Sequence, residues 1–533
     1  MAENSQSALI RALLDPGCYD HPVAAVELIE THISWVLLTG SHAYKIKKAV
    51  NLGFLDFSTL EKRRFYCQEE LRLNRRFAPR LYLDLIPISG TPQQPVLNGG
   101  GAAIEYAVKM RQFPQQALLD RMLENGQLGP AEVDEVAREV ARFHAMIAAA
   151  PPPAEFGTAA AIQQPVLENF AQIAESTKDR PEGKLLAALE SWSRAEFTRL
   201  REELATRREK NYIRECHGDL HLGNMARIDG AVTLFDCLEF NPNLRWIDVM
   251  SDAAFVIMDL HDHGRPDLAQ RFLNRYLEHS GDFSGLRVLN YYLVYRAMVR
   301  AKVACIRGCQ TDLDEQQQQL AWEQARSYLA LASRFTRPSR PCLLITHGYS
   351  GSGKTTAAQY LLEHSNAIRV RSDVERKRLF GLAPQQRSQS GLSNGIYSPD
   401  AHTQTYRHLE QVAREIVQAG FPAIVDAAFL QFAERQAFRT LAETLQVPFI
   451  ILHLQADEIT LRQRIDGRQA MEKDASEATL QVLDLQLRSS EELTAGEAAS
   501  TWKVDTGHPE TASAVLQKLA RQLMDNPDKI CQD

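Results

Sequence analysis

The string CLLITHGYSGSGKTTAAQYLLEH, which begins at Cys342, constrains this chain more than any other. An apolar run ends at Thr346. Glycines follow at 348, 351 and 353, and Lys354, Thr355 and Thr356 open a helical pattern. Glycines at this spacing let backbone amides converge on phosphate oxygens, and a helix start adds the positive end of its dipole. Gly348, Gly351 and Gly353 are therefore expected to cradle a phosphate chain, with Lys354 reaching the β and γ phosphates and Thr355 binding magnesium. ATP or GTP is the implied ligand. Downstream, AIRVRS, PAIVDAA and FIILHL read as strands, alternating with the helical patterns HTQTYRHLEQVAREIVQAG and AERQAFRTLAETL. That is the cadence of a parallel sheet wound by crossovers, so residues 341–533 are read as an α/β nucleotide-binding domain.

The seam before it is TRPSRP, from Thr336 to Pro341, where prolines separate a helical pattern from the strand CLLIT. Residues 1–335 read differently. The runs SWVLLTG, AYKIKKAV, LYLDLIPI and AIEYAVKM are strand-like, with one helical stretch between Ser58 and Phe77. Helical spacing then dominates from Gly129 onward, apart from a short strand pair around Ile213 and Val232. A two-lobed α+β unit is expected. The glutamine-rich patch after Cys309 fits either a surface loop or an exposed helix start.

A length of 533 residues allows several domains, and 44% hydrophobic with 24% charged residues is ordinary globular composition. A formal charge of -7 argues against nucleic acid as a general partner and leaves only a local basic groove open. The 8 cysteines are scattered without a CxxC pair, which suits reduced thiols in a cytoplasmic protein. No run of eighteen apolar residues occurs, so no membrane span is expected.

From Cys216 the sequence reads CHGDLHLGNMARIDGAVTLFDCLEF. Phosphoryl transfer needs a carboxylate to orient or deprotonate an acceptor hydroxyl, and hard oxygen ligands to hold magnesium against the nucleotide. Asp219 fits the base, and Asn224 with Asp236 fits the metal. His217, Gly218, Asp219, His221 and Asn224 together resemble the loop of the aminoglycoside phosphotransferase and choline kinase group. The resemblance implies a kinase-like fold over roughly residues 25–310. It also implies a strand lysine that grips phosphate and pairs with a helix glutamate: Lys45 and Lys47 share a strand face, Glu69 and Glu70 follow on a helix, and Lys47 with Glu70 is the favoured pair. By the same analogy EYAVKMRQF would be the inter-lobe hinge, Asp248 and Asp252 would brace the loop, and His221 would meet the substrate. No GxGxxG, DFG or APE string occurs here, so protein substrates are not expected.

In the second domain RSDVERKRLFG places Asp373 and Arg376 at a strand's carboxyl end, where ligands gather in such sheets. The string SDxxR resembles P-loop kinases of the polynucleotide 5'-kinase, zeta-toxin and chloramphenicol phosphotransferase neighbourhood. The resemblance implies Asp373 as base, Arg376 at the substrate, and Asp426 as the acid near magnesium. Arg464 and Arg468, one helical turn apart, resemble lid arginines that close over the transferring phosphate, with Arg462 a weaker candidate.

The two halves together resemble bacterial fusions of an aminoglycoside phosphotransferase-like domain with an AAA-type or zeta-toxin-like P-loop kinase domain. The expected function is that of a bifunctional, ATP- and magnesium-dependent phosphotransferase acting on small-molecule hydroxyls. Two alternatives stand beside it: a polynucleotide 5'-hydroxyl kinase in the second half, or a nucleotide-sensing pseudokinase in the first.

Overall fold

The computed structural model describes residues 2–525, except positions 52, 54, 153, 179, 311, 312, 339, 385, 389, 391–393, 472–476 and 478, and the side chains of 2–4, 468–471 and 525. Its contacts divide into two compact units. The first comprises Met1–Glu139, Phe143–Gln172 and Arg201–Asp259, and the second Val140–Arg142, Ile173–Leu200 and Leu260–Asp533. The helices after residue 260 thus cluster with the nucleotide loop.

The first unit is built on a six-stranded antiparallel sheet: β1 (Glu27–Glu30), β2 (Ser34–Leu38), β3 (His42–Lys47), β4 (Tyr82–Thr91), β5 (Gln94–Leu97) and β6 (Glu105–Arg111), in the order β1-β2-β3-β6-β4-β5. Alternation along β3 puts Ala43 with Lys45 and Lys47 on one face and Tyr44 with Ile46 on the other. Tyr44 and Ile46 join Leu37, Ile86 and Ile88 in a core completed by Leu9, Ile10 and Leu13 from the amino-terminal segment. The helix Leu60–Asn74, capped by the Thr59 side chain, covers the sheet with Cys67 and Leu71 against Val108. The stretch expected as a hinge is mostly β6, between β3 and β4, and the chain leaves the sheet at Gln112.

The strands around Ile213 and Val232 do not pair with each other. β7 (Ile213–Glu215) pairs with β10 (Trp246–Asp248), whereas β8 (Met225–Ile228) and β9 (Ala231–Leu234) form a hairpin. An Asp229-Gly230 turn joins the hairpin, both residues at positive φ. Local sequence favoured that hairpin over the longer-range alternative.

In the second unit, β11 (Leu343–His347), β12 (Ile368–Arg371), β13 (Ala423–Asp426), β14 (Phe449–Gln455) and β15 (Thr501–Asp505) form a parallel sheet ordered β12-β13-β11-β14-β15. β11, β12 and β13 are buried throughout, as expected of a sheet covered on both faces. Leu344, Ile424, Ile450 and Leu452 pack against Leu361 and Ala358 of the helix Lys354–Glu363 and Leu519 of the helix Pro509–Asp525. The glutamine patch starts a helix, Glu315–Phe335, whose Asp314 cap accepts the Gln317 N–H at 2.7 Å. The α+β kinase-like unit followed by an α/β P-loop unit with a parallel sheet is thus the architecture observed. Among the described residues no helix is long and apolar enough to cross a membrane.

Candidate functional sites

In the first unit the tight turn between β7 and β8 is fixed from beneath. Asp252 accepts the backbone N–H groups of His217 and Gly218, each at 3.0 Å, and also meets His144 Nε2 at 3.1 Å. Gly218 has φ +86, and a Cβ there would stand 2.8 Å from the Leu244 carbonyl oxygen, so the turn requires glycine. Asp259 accepts the Leu222 N–H at 2.9 Å. With its backbone held this way, Asp219 presents a side chain that is 41% exposed. Asn224 Nδ2 donates to Asp219 Oδ2 at 3.1 Å and to its carbonyl oxygen at 2.9 Å. That leaves the Asn224 amide oxygen as its ligating atom. The hairpin brings Phe235 N to within 3.0 Å of the Asn224 carbonyl oxygen, so Asp236 emerges beside Asn224. Asp236 adopts φ +61, a strained conformation for a non-glycine residue, and Tyr82 Oη accepts its N–H at 3.0 Å. His221 Nδ1 accepts the Gly223 N–H, which turns Nε2 toward Asp219 Oδ2 at 3.5 Å. His221 therefore stands beside the base candidate.

The expected Lys47–Glu70 pair is formed, and Lys45 shares the same glutamate. Lys45 bridges Asp236 and Glu70, the latter at 3.0 Å. Lys47 is wholly buried between Glu70, at 2.6 Å, and Glu239. Its ammonium is enclosed by two carboxylates, so Lys45 rather than Lys47 faces the metal-ligand candidates. Burial alone would raise the Glu70 carboxyl, but Lys45 and Lys47 outweigh it and hold the group down at about 2. For Glu239, burial prevails and, with Glu70 nearby, pushes the carboxyl above its ordinary value. Sequence reading missed Glu239, although it lies in the same FDCLEF string as Asp236. Asp248 lies apart from this cluster, in a buried bidentate pair with Arg207 at 2.6 and 2.7 Å.

In the second unit, the loop after β11 borders a cleft of about 790 Å³. Gly351, Gly353, Lys354, Thr355 and Thr356 line its floor, and Asp373, Arg376, Asp426 and Arg464 its walls. At Gly351, φ is +86 and a Cβ would meet the Leu461 carbonyl oxygen at 2.7 Å. Lys354 Nζ donates to the carbonyl oxygens of Gly348 and Tyr349 at 2.9 and 2.7 Å, so the ammonium arches back over the loop. Asp373 opens the helix Ser372–Leu379, 3.7 Å from Arg376, whose guanidinium lies 4.9 Å from the Tyr397 ring centroid. Asp426 ends β13, 5% exposed, with Arg371 Nε 4.0 Å from an Oδ2 that has no hydrogen-bond partner among the described residues. Arg464 reaches the loop, donating to the Gly351 carbonyl oxygen at 3.3 Å and to Thr506 Oγ1 at 2.8 Å. Arg462 instead pairs with Glu458 and Asp484 at the surface. The Arg468 side chain lies outside the described residues.

Both donor sets suit magnesium. Asn224 and Asp236 in one unit, and Thr355 and Asp426 in the other, offer hard oxygens only, and the orphaned Asp426 oxygen is what a cation would satisfy.

Behind the loop, His347 and His453 are register partners with Nδ1 atoms 2.6 Å apart, so one ring donates and the other accepts. Burial, then His453, Arg435 and Lys354, hold the His347 imidazole down at about 3. A group depressed from 6.5 contributes stability that is complete above that pH and lost as pH falls toward 3. The unfolding free energy of the second unit should therefore drop by about 2 kcal/mol from pH 6.5 to pH 5, and the His347→Gln variant should show a shallower slope.

Comparison with known proteins agrees with this architecture. The Phosphotransferase enzyme family matches residues 94–289 and the AAA domain family residues 343–493. Uncharacterized proteins of Mycobacterium tuberculosis and Mycobacterium bovis are 30% identical over 498 residues, which is 93% of this chain and 94% of theirs. Among solved structures, a putative kinase from Chloroflexus aurantiacus is 23% identical over 35% of this chain and 100% of its own, with a TM-score of 0.28. An ethanolamine kinase from Plasmodium vivax is 11% identical over 58% of this chain and 81% of its own, with a TM-score of 0.38. With two kinase-like domains in this order, and a match along nearly the whole length of the mycobacterial proteins, the chain belongs with them to a family in which a phosphotransferase domain is fused to a P-loop kinase domain.

Proposed function

We propose that the protein carries two separate ATP- and magnesium-dependent phosphotransferase sites, each acting on a hydroxyl of a small molecule. The observation that carries this reading is that each unit gathers a partly exposed carboxylate, a lysine and hard-oxygen ligands: Asp219 with Lys45, Asn224 and Asp236, and Asp373 with Lys354, Thr355 and Asp426. Magnesium, when bound, neutralises the phosphate oxygens and orients the nucleotide. Asp219 and Asp373 each take the proton of the acceptor hydroxyl as its oxygen forms a bond to the γ-phosphorus and the bond to the bridging oxygen breaks, leaving ADP. Lys45 and Lys354 grip phosphate oxygens, and Arg464 closes over the transferring group from the loop's edge. Arg376, on the acceptor side of Asp373, contacts the substrate. His221 orients Asp219.

The experiment follows transfer from labelled ATP to a panel of small hydroxyl compounds by the wild type, Asp219→Asn, Lys354→Ala and the double variant. Each single substitution should remove a different set of products, and the double variant should make none. Undiminished transfer by the double variant would refute the proposal. A 5'-hydroxyl oligonucleotide in the same panel, labelled only when Lys354 is intact, would instead establish the polynucleotide reading. Binding of ATP by the first unit with no product lost in Asp219→Asn would establish the sensing one.

A further inference from the structure

The chemistry assigned to the second cleft makes no use of a buried arginine beside it. Arg369, on β12, is 1% exposed. Its Nη2 donates to Glu278 Oε1 at 2.9 Å, and its Nη1 to the carbonyl oxygen of Thr355 at 3.3 Å. Glu278 is 5% exposed and lies on the helix Pro266–Ser280. That helix falls inside the stretch matched by the phosphotransferase family, yet it belongs to the same compact unit as the nucleotide loop.

The helix is tied to this part of the sheet at several points. Asn274 Oδ1 accepts the Arg369 backbone N–H at 2.7 Å, and its Nδ2 donates to the Ala367 carbonyl oxygen at 3.3 Å. Arg271 pairs at 2.6 Å with Glu363, the last residue of the helix whose first turn holds Thr355. Arg378 donates to the Glu278 carbonyl oxygen at 2.6 Å. A helix supplied by the phosphotransferase stretch thus fixes the edge strand, and through Arg369 the first turn of the phosphate loop's helix.

The charges around Arg369 give Glu278 a specific task. Besides Glu278, the guanidinium feels the attraction of Asp426 and the repulsion of Arg371 and Arg275. With Glu278 neutralised, the guanidinium loses the carboxylate that sets it against the Thr355 carbonyl, and the turn that carries Thr355 loses that support.

We propose that Glu278 is a positioning residue of the second nucleotide site: by holding Arg369 against the Thr355 carbonyl, it keeps the magnesium-binding turn in order. This rests on the assignment of Thr355 and Asp426 to magnesium made above. It makes the P-loop site dependent on a helix from the phosphotransferase stretch.

The test uses the full-length chain carrying Asp236→Ala to silence the first site, with Lys354→Ala as the blank for the second. Titration calorimetry with a non-hydrolysable ATP analogue, at a series of magnesium concentrations, reads the site without turnover. Glu278→Gln, which keeps the shape but not the charge, should raise the half-saturating magnesium concentration about tenfold, as loss of an outer-sphere partner does. Metal-free ADP should bind within about twofold of the parent, since the phosphate loop itself is intact. Adding Arg369→Met removes the stranded charge, so the melting temperature should recover while the magnesium dependence does not. Unchanged magnesium dependence in Glu278→Gln, or recovery of both quantities in the double variant, would overturn the inference. Binding with no transfer to any acceptor would defeat the proposed activity alone. Binding that survives Lys354→Ala would defeat both.

Discussion

The Asp219→Asn variant is expected to lose about a hundred- to ten-thousandfold in kcat at the first site, with little change in its KM for ATP. Asparagine keeps the size of the side chain and its contact with Asn224 Nδ2, now 3.1 Å from Asp219 Oδ2, so the loop has no reason to move. The backbone bonds that shape the turn come from Asp252 and are untouched. What disappears is the capacity to take a proton. A uniform loss of binding would appear in KM instead, which is how the two effects are told apart. Asp236→Asn should behave differently, because Asp236 is both the magnesium ligand of the proposal and a counter-ion of Lys45. Its activity should return in part at high magnesium, whereas that of Asp219→Asn should not. Steady-state kinetics with magnesium as the second variable reads both. An Asp219→Asn enzyme with full kcat would remove Asp219 from the chemistry.

How much of this was legible beforehand follows from the range over which each feature is encoded. The phosphate loop, the HGDLHLGN turn and the acids that end apolar runs are local strings, and the structure places Lys354, Thr355, Asp373 and Asp426 around one cleft. The buried strands β11 to β14 were legible for the same reason. β1, β5 and β15 escaped because four or five residues of edge strand leave too little periodicity to read. The choice between Lys45 and Lys47 could not be made locally. Alternation puts both on one face, and only Glu239, nearly two hundred residues downstream, decides which ammonium is walled in. Arg369 and Glu278 were invisible for a related reason: an arginine inside a strand looks like a solvated edge until its partner from another helix is known.

The walled-in lysine carries the second large expectation. Lys47→Met leaves Glu70 and Glu239 facing each other in a space where neither is more than 5% exposed. Removing one partner from a buried charge cluster typically costs about 3–5 kcal/mol, much more than the methionine recovers by packing. The pH dependence should identify the cause. In the wild type Glu70 is held down at about 2, so its contribution is complete above the ordinary carboxyl value of 4.5 and is lost as pH falls toward 2. In the variant Glu239 loses Lys47 while Glu70 keeps Lys45. The Glu239 carboxyl, already above its ordinary value, therefore rises further. The folded state then binds more protons there than the unfolded one, and stability falls as pH increases. The deficit of Lys47→Met should therefore be larger at pH 8 than at pH 5, and Glu239→Gln in the same chain should restore most of it. Chemical denaturation of the three proteins at both pH values measures this directly. A deficit independent of pH would mean that packing around the lysine stem, not the charge, holds this part of the unit together.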